Sequence, residues 1–434
     1  MLKIYNSLSN KIEEFKPIHE NKVNMYVCGP TVYDDIHIGN GRPVVFFDVV
    51  KRYLQYLDYG VKYASNITDV DDKIIDRAQK LHITEKELAT TYTNNFFEIA
   101  KKIGGYNFDV TPHATNYIEE MIKFIGELIA DGFAYKTQSG VYFRVDKIKD
   151  YGILSNQQVK DLKTGVRIDL ETDKEKDYDF ALWKNTLDGI KYHAPWGDGR
   201  PGWHTECVVM TNEIFGGEID IHGGGFDLKF PHHENEIAQS VAKHDHHLAK
   251  YWMHVGRLDL ANEKMSKSLG NDIKLKDLVE TYNPNAYRLM LLAHHYRAPI
   301  QFSDDLIEQY QKAYDKISYT LNKWHFHMIL NNIDENGLDH ESIKSFEEFM
   351  NDDFATPRVI TLIDKLIKDL NKDFKAENYN TIILILNTLG LIPNILEVLE
   401  EDIENYKNWQ QARLEKNYEK ADIYRKPLLD KGFI

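Results

Sequence analysis

Residues 23–67 constrain the fold more than any other stretch of the chain. VNMYVCG (23–29) is a run of strand formers closed by Gly29-Pro30, the pattern of a strand buried on both faces in a parallel sheet. A polar turn, His37-Ile38-Gly39-Asn40, leads into a helix expected from about Pro43 to Tyr59. Val45, Val49, Tyr53 and Tyr56 form its apolar stripe, with Gly60 as the stop. VKYASNIT supplies a second strand. Strand, turn, helix and strand make a βαβ unit, the opening of a nucleotide-binding sheet. A glycine-containing turn at a helix N-terminus is where backbone N–H groups meet an anion. Ligands of such sheets bind outside the carboxyl ends of the strands. Cys28 falls at such an end.

A second informative stretch is Ile221–Glu236, IHGGGFDLKFPHHENE. Its glycine run lets backbone approach a ligand closely and tolerates positive φ. If a helix begins near Pro231, His232 and Glu236, four apart, share one face. That is metal-ligand spacing with one nitrogen and one oxygen donor and no thiolate. The chain has two cysteines, Cys28 and Cys207, few enough to fit a reducing compartment. The bland reading makes both buried hydrophobes; the expectation is that both come to this point.

The rest supports a split sheet. The first residues read strand, turn, strand. Thr68-Asp69-Val70-Asp71-Asp72-Lys73 is read as a capped helix start rather than a metal cluster. Thr84 and Glu87 form a capping box. Residues 112–200 look inserted, with a helix, two short strands joined at Gln138-Ser139-Gly140, and a polar stretch ending in FALWK. Apolar patterning returns at GWHTEC (202–207), and EIDIHGGG is another strand. Lys264-Met265-Ser266-Lys267-Ser268 puts two ammonium groups on a polar loop. Helices are expected near 306–328, 341–350, 356–371, 376–390 and 403–432, suited to a bundle. A net charge of −15 argues against wholesale electrostatic capture of nucleic acid, although a local basic face suffices for RNA. No apolar run approaches the roughly 18 residues of a membrane span, and the N-terminus shows no secretory h-region.

HIGN at 37–40, KMSKS at 264–268 and the split sheet between them resemble the class I aminoacyl-tRNA synthetases. CGPTVYDDIHIGN, SNITDVDDKI, DFALWK, PGWHTEC, DIHGGGFDLKFPHHENEIAQS and KMSKSLGN, in this order, resemble the cysteinyl-tRNA synthetases. DDFATP (352–357) and KNYEKADIYRKPLLDKGF extend the match more weakly. The resemblance implies an α/β fold. A Rossmann-type parallel-sheet catalytic domain (1–111 and 201–258) would be split by a connective insertion (112–200). A KMSKS-containing junction (259–305), a helical bundle (306–400) and a short tRNA-contacting region (401–434) would follow.

It further implies one zinc per chain on Cys28, Cys207, His232 and Glu236. His233 competes with His232 but lacks the four-residue spacing to Glu236. The implied reaction is activation of L-cysteine with ATP and Mg²⁺ to cysteinyl adenylate, then transfer to the terminal adenosine of tRNA-Cys. His37, Asn40, Lys264 and Lys267 would stabilise the phosphates, and Gly225 and Asp227 would contact the adenosine. Cys28, Gly29, Thr68, Trp203 and His222 would line the amino-acid pocket. A cytoplasmic monomer with no membrane partner is expected.

Two departures stand out. The family motif most often ends in His where this chain has Asn40, which donates through its amide but carries no charge. The family often extends beyond the KGF match, so a minimal anticodon-reading end is expected. Two other readings are a cysteine ligase of mycothiol synthesis, against which the long helical region argues, and an inactive tRNA-binding paralogue, against which the complete motif set argues.

Overall fold

The computed structural model describes residues 1–157, 173–186, 188–260 and 272–434. They fall into two units, one of residues 3–278 with 296–301 and one of 279–295 with 302–434. The first opens with an antiparallel hairpin, β1 (Lys3–Asn6) and β2 (Lys11–Glu14). Then come β3 (Lys22–Val27) and β4 (Gly60–Ser65), and an antiparallel group of β5 (Ala134–Lys136), β6 (Gly140–Phe143), β7 (Phe180–Asn185) and β8 (Gly199–Pro201). The strands β9 (Ile219–Gly225) and β10 (Ala249–Val255) follow. β3, β4, β9 and β10 form an all-parallel sheet in the order β10-β9-β3-β4.

That order positions the site. β3 continues through α1 (Gly41–Tyr56) to β4 on one side. β9 continues to β10 on the other. The chain therefore turns in opposite directions from β3 and β9, which leaves a crevice at their carboxyl ends. Cys28 leaves β3 at that point, its N–H donating to Gly223 O at 3.0 Å.

Details differ from the sequence reading. α1 starts two residues before Pro43 and ends at Tyr56. Asp58 takes a left-handed φ of 65° in the turn, and Gly60 pairs with Lys22 as the first residue of β4 rather than stopping the helix. The helix is buried almost all round, Phe46, Phe47, Val50 and Leu54 included; β4, β9 and β10 lie against it, and Gly105 packs on Val44. Gly223, Gly224 and Gly225 lie in extended β9, and none has positive φ. Close approach is what requires them: a Cβ on Gly223 would lie 2.1 Å from Phe47 Cζ, and one on Gly224 2.9 Å from His233 Cε1.

α2 (Asp72–Leu81) is capped by Asp71, which accepts from Lys73 N at 2.9 Å. α3 (Glu85–Lys102) carries the Thr84–Glu87 box. α4 (Ile118–Ala130), α5 (Trp203–Phe215) and α6 (His232–His244) complete the frame around the crevice. One apolar core runs from Tyr26 and Ala64 of the parallel sheet through Met121 and Phe124 to Phe143 and Trp183 of the antiparallel one. The inserted strands thus share a core with the sheet halves.

After α7 (Leu275–Thr281), the second unit contains α8 (Pro284–Leu292), α9 (Asp304–Leu330), α10 (His340–Met350), α11 (Thr356–Lys372) and α12 (Ala376–Thr388). The expected helix 403–432 is two: α13 (Glu400–Leu414) and α14 (Tyr418–Asp430). Lys416 turns with φ 58°, and Asn417 caps α14 by accepting from Lys420 N at 3.2 Å, a stop and start that apolar periodicity does not register. The KGF stretch closes this hairpin: Phe433 stacks on Phe326 of α9 at 4.7 Å, and Lys431 Nζ pairs with Asp402 at 2.6 Å. Among the described residues no helix is long and apolar enough to cross a membrane.

Candidate functional site

Cys28 arrives from the end of β3, Cys207 from the second turn of α5, and His232 and Glu236 from the start of α6. Their donor atoms all lie within 4.8 Å of one another. The two sulfurs are 3.5 Å apart as free thiols. Cys28 Sγ is 3.5 Å from Glu236 Oε1, Cys207 Sγ 3.7 Å from His232 Nε2, and His232 Nε2 2.9 Å from Glu236 Oε1. A tetrahedron with Zn–S of about 2.3 Å and Zn–N or Zn–O of about 2.0–2.1 Å has donor–donor edges of roughly 3.3–3.8 Å. Three edges match that span, and the His232–Glu236 edge is shorter because the two side chains pair directly. Two sulfurs, an imidazole and a carboxylate are a zinc donor set.

His233 lies on the other side of Cys28, its Nε2 3.3 Å from Sγ. With His222 and Cys28 it makes a second donor group, which lacks Cys207. His233 Nδ1 is 2.9 Å from His254 Nε2. His232 alone of the two adjoins both Cys207 and Glu236.

Burial raises the Cys28 thiol, and Cys207 and Glu236 beside it push the same way. Burial acts likewise on Cys207 but is outweighed by the Cys28 and His232 contacts, which bring it down to about 6. Of the two thiols, Cys207 is the more acidic. Burial opposes charge on His232 too, yet Glu236 and Cys207 lift it to about 10. Against its own burial, Glu236 is held well below the usual carboxylate range by His222 and His232. The protons retained here are those a bound cation displaces.

The surroundings hold these side chains still. His222 Nε2 is 2.7 Å from Glu236 Oε2, and its ring stacks on Trp252 at 4.3 Å. Trp203 stacks on His232 at 4.1 Å, and His204 Nδ1 is 2.9 Å from His232 Nδ1. Burial takes His204 down to about 3, so it is neutral.

The other expected site residues divide into four groups. Thr68 is buried next in the hydrogen-bond chain to Glu206, the neighbour of Cys207; its Oγ1 donates to Glu206 Oε2 at 2.7 Å and accepts from Asn66 Nδ2 at 3.2 Å. Gly29 N donates to Asn66 Oδ1 at 2.8 Å. His222 is wholly buried, whereas Trp203 is 37% exposed. His37 and Asn40 sit in the turn before α1, where Asn40 Oδ1 accepts from His37 N at 3.1 Å and Gly39 N donates to His37 Nδ1 at 3.1 Å. Gly225 ends β9 and Asp227 is exposed just beyond it. Lys264 and Lys267 lie outside the described residues.

Sequence reasoning missed Asn66, Glu206 and His254. Asn66 follows the last residue of β4 and His254 lies near the end of β10, the same placement that raised Cys28. For Glu206, next to Cys207, no comparable signal exists.

Residues 14–312 match the family model described as the class I (C) tRNA synthetase catalytic domain. The chain is 95% identical over its full length to a cysteine–tRNA ligase of Acholeplasma laidlawii, with all of that protein covered. It is 49% identical to one of Onion yellows phytoplasma, again covering 100% of both chains, and 42% identical to one of Bacillus cereus, covering 99% of this chain and 96% of that one. Among solved structures, Mycobacterium tuberculosis methionyl-tRNA synthetase aligns with a TM-score of 0.62 at 15% identity, covering 85% of this chain and 90% of that one. An Agrobacterium radiobacter LeuRS aligns at 0.64 with 10% identity, covering 87% and 84%. These two show a shared fold.

Proposed function

The chain belongs to the cysteine–tRNA ligases, class I synthetases that join L-cysteine to tRNA at the expense of ATP, and we propose that Cys28, Cys207, His232 and Glu236 hold a zinc ion that selects the substrate by its sulfur. The observation that carries this is the convergence of two sulfurs, an imidazole and a carboxylate from three elements within 4.8 Å. Serine differs from cysteine by oxygen for sulfur, and shape alone separates such near-isosteres by only about 10–200-fold. When bound, Zn²⁺ supplies a borderline-soft centre that prefers thiolate to hydroxyl. A preference of about 10⁴ corresponds to about 5.5 kcal/mol, enough to dispense with editing.

The remaining work is positioning and charge stabilisation. The cysteine carboxylate attacks the ATP α-phosphorus and pyrophosphate leaves. The terminal adenosine hydroxyl of the tRNA then attacks the acyl carbon and AMP leaves. Thr68, held by Asn66 and Glu206, and the exposed face of Trp203 orient the amino acid, with Gly29 and His222 forming the floor beside Cys28. His37 and Asn40 meet phosphate oxygens at the start of α1. Lys264 and Lys267 add point charges to the same phosphates. Gly225 and Asp227 meet the adenosine, and Mg²⁺ accompanies ATP. Residues 112–200 serve as the connective insertion and 401–434 as a tRNA-contacting end, in a cytoplasmic monomer.

Cysteine-dependent ATP–pyrophosphate exchange, run with serine in parallel and with zinc assayed, tests this. Strong exchange with cysteine, almost none with serine and about one zinc per chain is expected. Exchange with serine equal to that with cysteine would remove the role given to the metal.

A further inference from the structure

The start of α6, which carries His232 in its first turn and Glu236 at the opening of its second, has another face. Glu234 and Asn235 lie between the two ligands and turn toward residues 151–155 of the insertion. Glu234 is fully buried and accepts three backbone N–H groups, from Gly152 at 2.9 Å, Ser155 at 2.8 Å and Leu154 at 3.4 Å. Tyr151 OH donates to Asn235 Oδ1 at 2.5 Å. The loop is bent for this purpose. Gly152 has φ +96°, and a Cβ on it would lie 1.9 Å from Gln157 O. Backbone N–H groups of one short loop converging on one anion make a nest-like cradle, with the carboxylate supplied by the helix that carries His232 and Glu236.

The first turn of a helix is its least secured part, because its N–H groups lack intrahelical partners. At α6 the N-cap is Pro231, with no side-chain cap. The stretch that must hold two ligands in fixed geometry therefore lacks a capping side chain of its own, and the insertion adds an anchor for its backbone. We propose that loop 151–155 clamps the metal helix, and that Glu234, Asn235 and Tyr151 are positioning residues that set the rotation of the turn and hence the His232–Glu236 edge of the metal site. This rests on the zinc reading above. It gives the insertion a part in amino-acid selection although none of its described residues supplies a metal ligand.

The test uses the full-length holoenzyme. Glu234→Gln acts from the helix side. Gly152→Ala acts from the loop side, forcing a β-carbon into left-handed backbone. Each should weaken zinc binding about 10–100-fold, as loss of partners behind a ligand does, read by competition with a chromophoric chelator without substrates. Excess zinc should restore cysteine-dependent exchange to near the parental rate. Tyr151→Phe, which removes one hydrogen bond, should weaken zinc a few-fold and serves if the other two variants fold poorly. Parental zinc affinity in these variants, with a lowered melting temperature of the metal-free protein, would make the residues merely structural and overturn the clamp. If the parent protein binds no zinc, the metal reading falls and the clamp with it. If the parent binds zinc tightly and the variants bind it equally well, the clamp alone falls.

Discussion

Gly223→Ala should cost the first unit about 2 kcal/mol. The new Cβ would lie 2.1, 2.4 and 2.8 Å from Cζ, Cε1 and Cε2 of Phe47, where carbon atoms normally approach to about 3.5–4.0 Å. The ring must therefore withdraw by roughly 1.5 Å. It has little room, since Phe47 is fully buried, edge-on to Phe46 at 5.1 Å, and Phe46 stacks on Tyr296 at 4.1 Å. Overpacking of this kind costs about 1–3 kcal/mol, and the upper end applies because the clash is with a ring braced from behind. Replacing glycine in an extended strand also restricts the unfolded chain, which returns about 0.4–1 kcal/mol. The net is about 2 kcal/mol. The assay is urea unfolding followed by near-ultraviolet circular dichroism, with Phe47→Leu as partner in a double-mutant cycle. Leucine leaves space for the new methyl, so the double variant should be at least about 1 kcal/mol more stable than the sum of the singles predicts. Additivity within about 0.3 kcal/mol, or a single-variant cost below about 0.5 kcal/mol, would refute the packing argument.

Other perturbations address the site. Cys207→Ser should lower zinc affinity by at least about 10–100-fold and abolish most cysteine-dependent exchange; a zinc-replete, fully active Cys207→Ser enzyme would exclude Cys207 as a ligand. Asn40→Ala removes an amide at the start of α1 and the bond to His37 N, so exchange should fall about 10–100-fold with zinc content unchanged; a parental rate would remove the phosphate role. Burial and the nearby Lys229 take His254 down to about 3. The unfolded chain then binds the proton first, so stability is full above about pH 6.5 and declines as pH falls toward about 3, by up to about 1.4 kcal/mol per pH unit. His254→Gln should lose about 2 kcal/mol less than the parent between pH 6.5 and 5 in urea titrations; identical pH slopes would mean that His254 titrates normally.

The βαβ opening was legible because a buried parallel strand, a glycine-bearing turn and a helical stripe are local patterns. The pairing of His232 with Glu236 was legible for the same reason, since a helix fixes the geometry of residues four apart. Helix ends were less so. The break at Lys416–Asn417 depends on one left-handed residue and one cap, which leave the apolar periodicity undisturbed. For the glycine run, close approach was legible but positive φ is not used, and what approaches is a side chain of the fold: the opposing residue, Phe47, lies far away along the chain.

Patterns with a period of two or four residues are local physics, and a single chain displays them. What joins Cys28 to Cys207, 179 positions apart, is the reversal of strand order between β3 and β9, a property of how the sheet is threaded. The same holds for the partners around the proposed metal site. Glu206 behind Thr68, His254 behind His233, and the loop that bends at Gly152 to meet Glu234 acquire their roles from neighbours distant along the chain. Burial then sets their charge states, because the cost of ionising a side chain depends on what surrounds it in space.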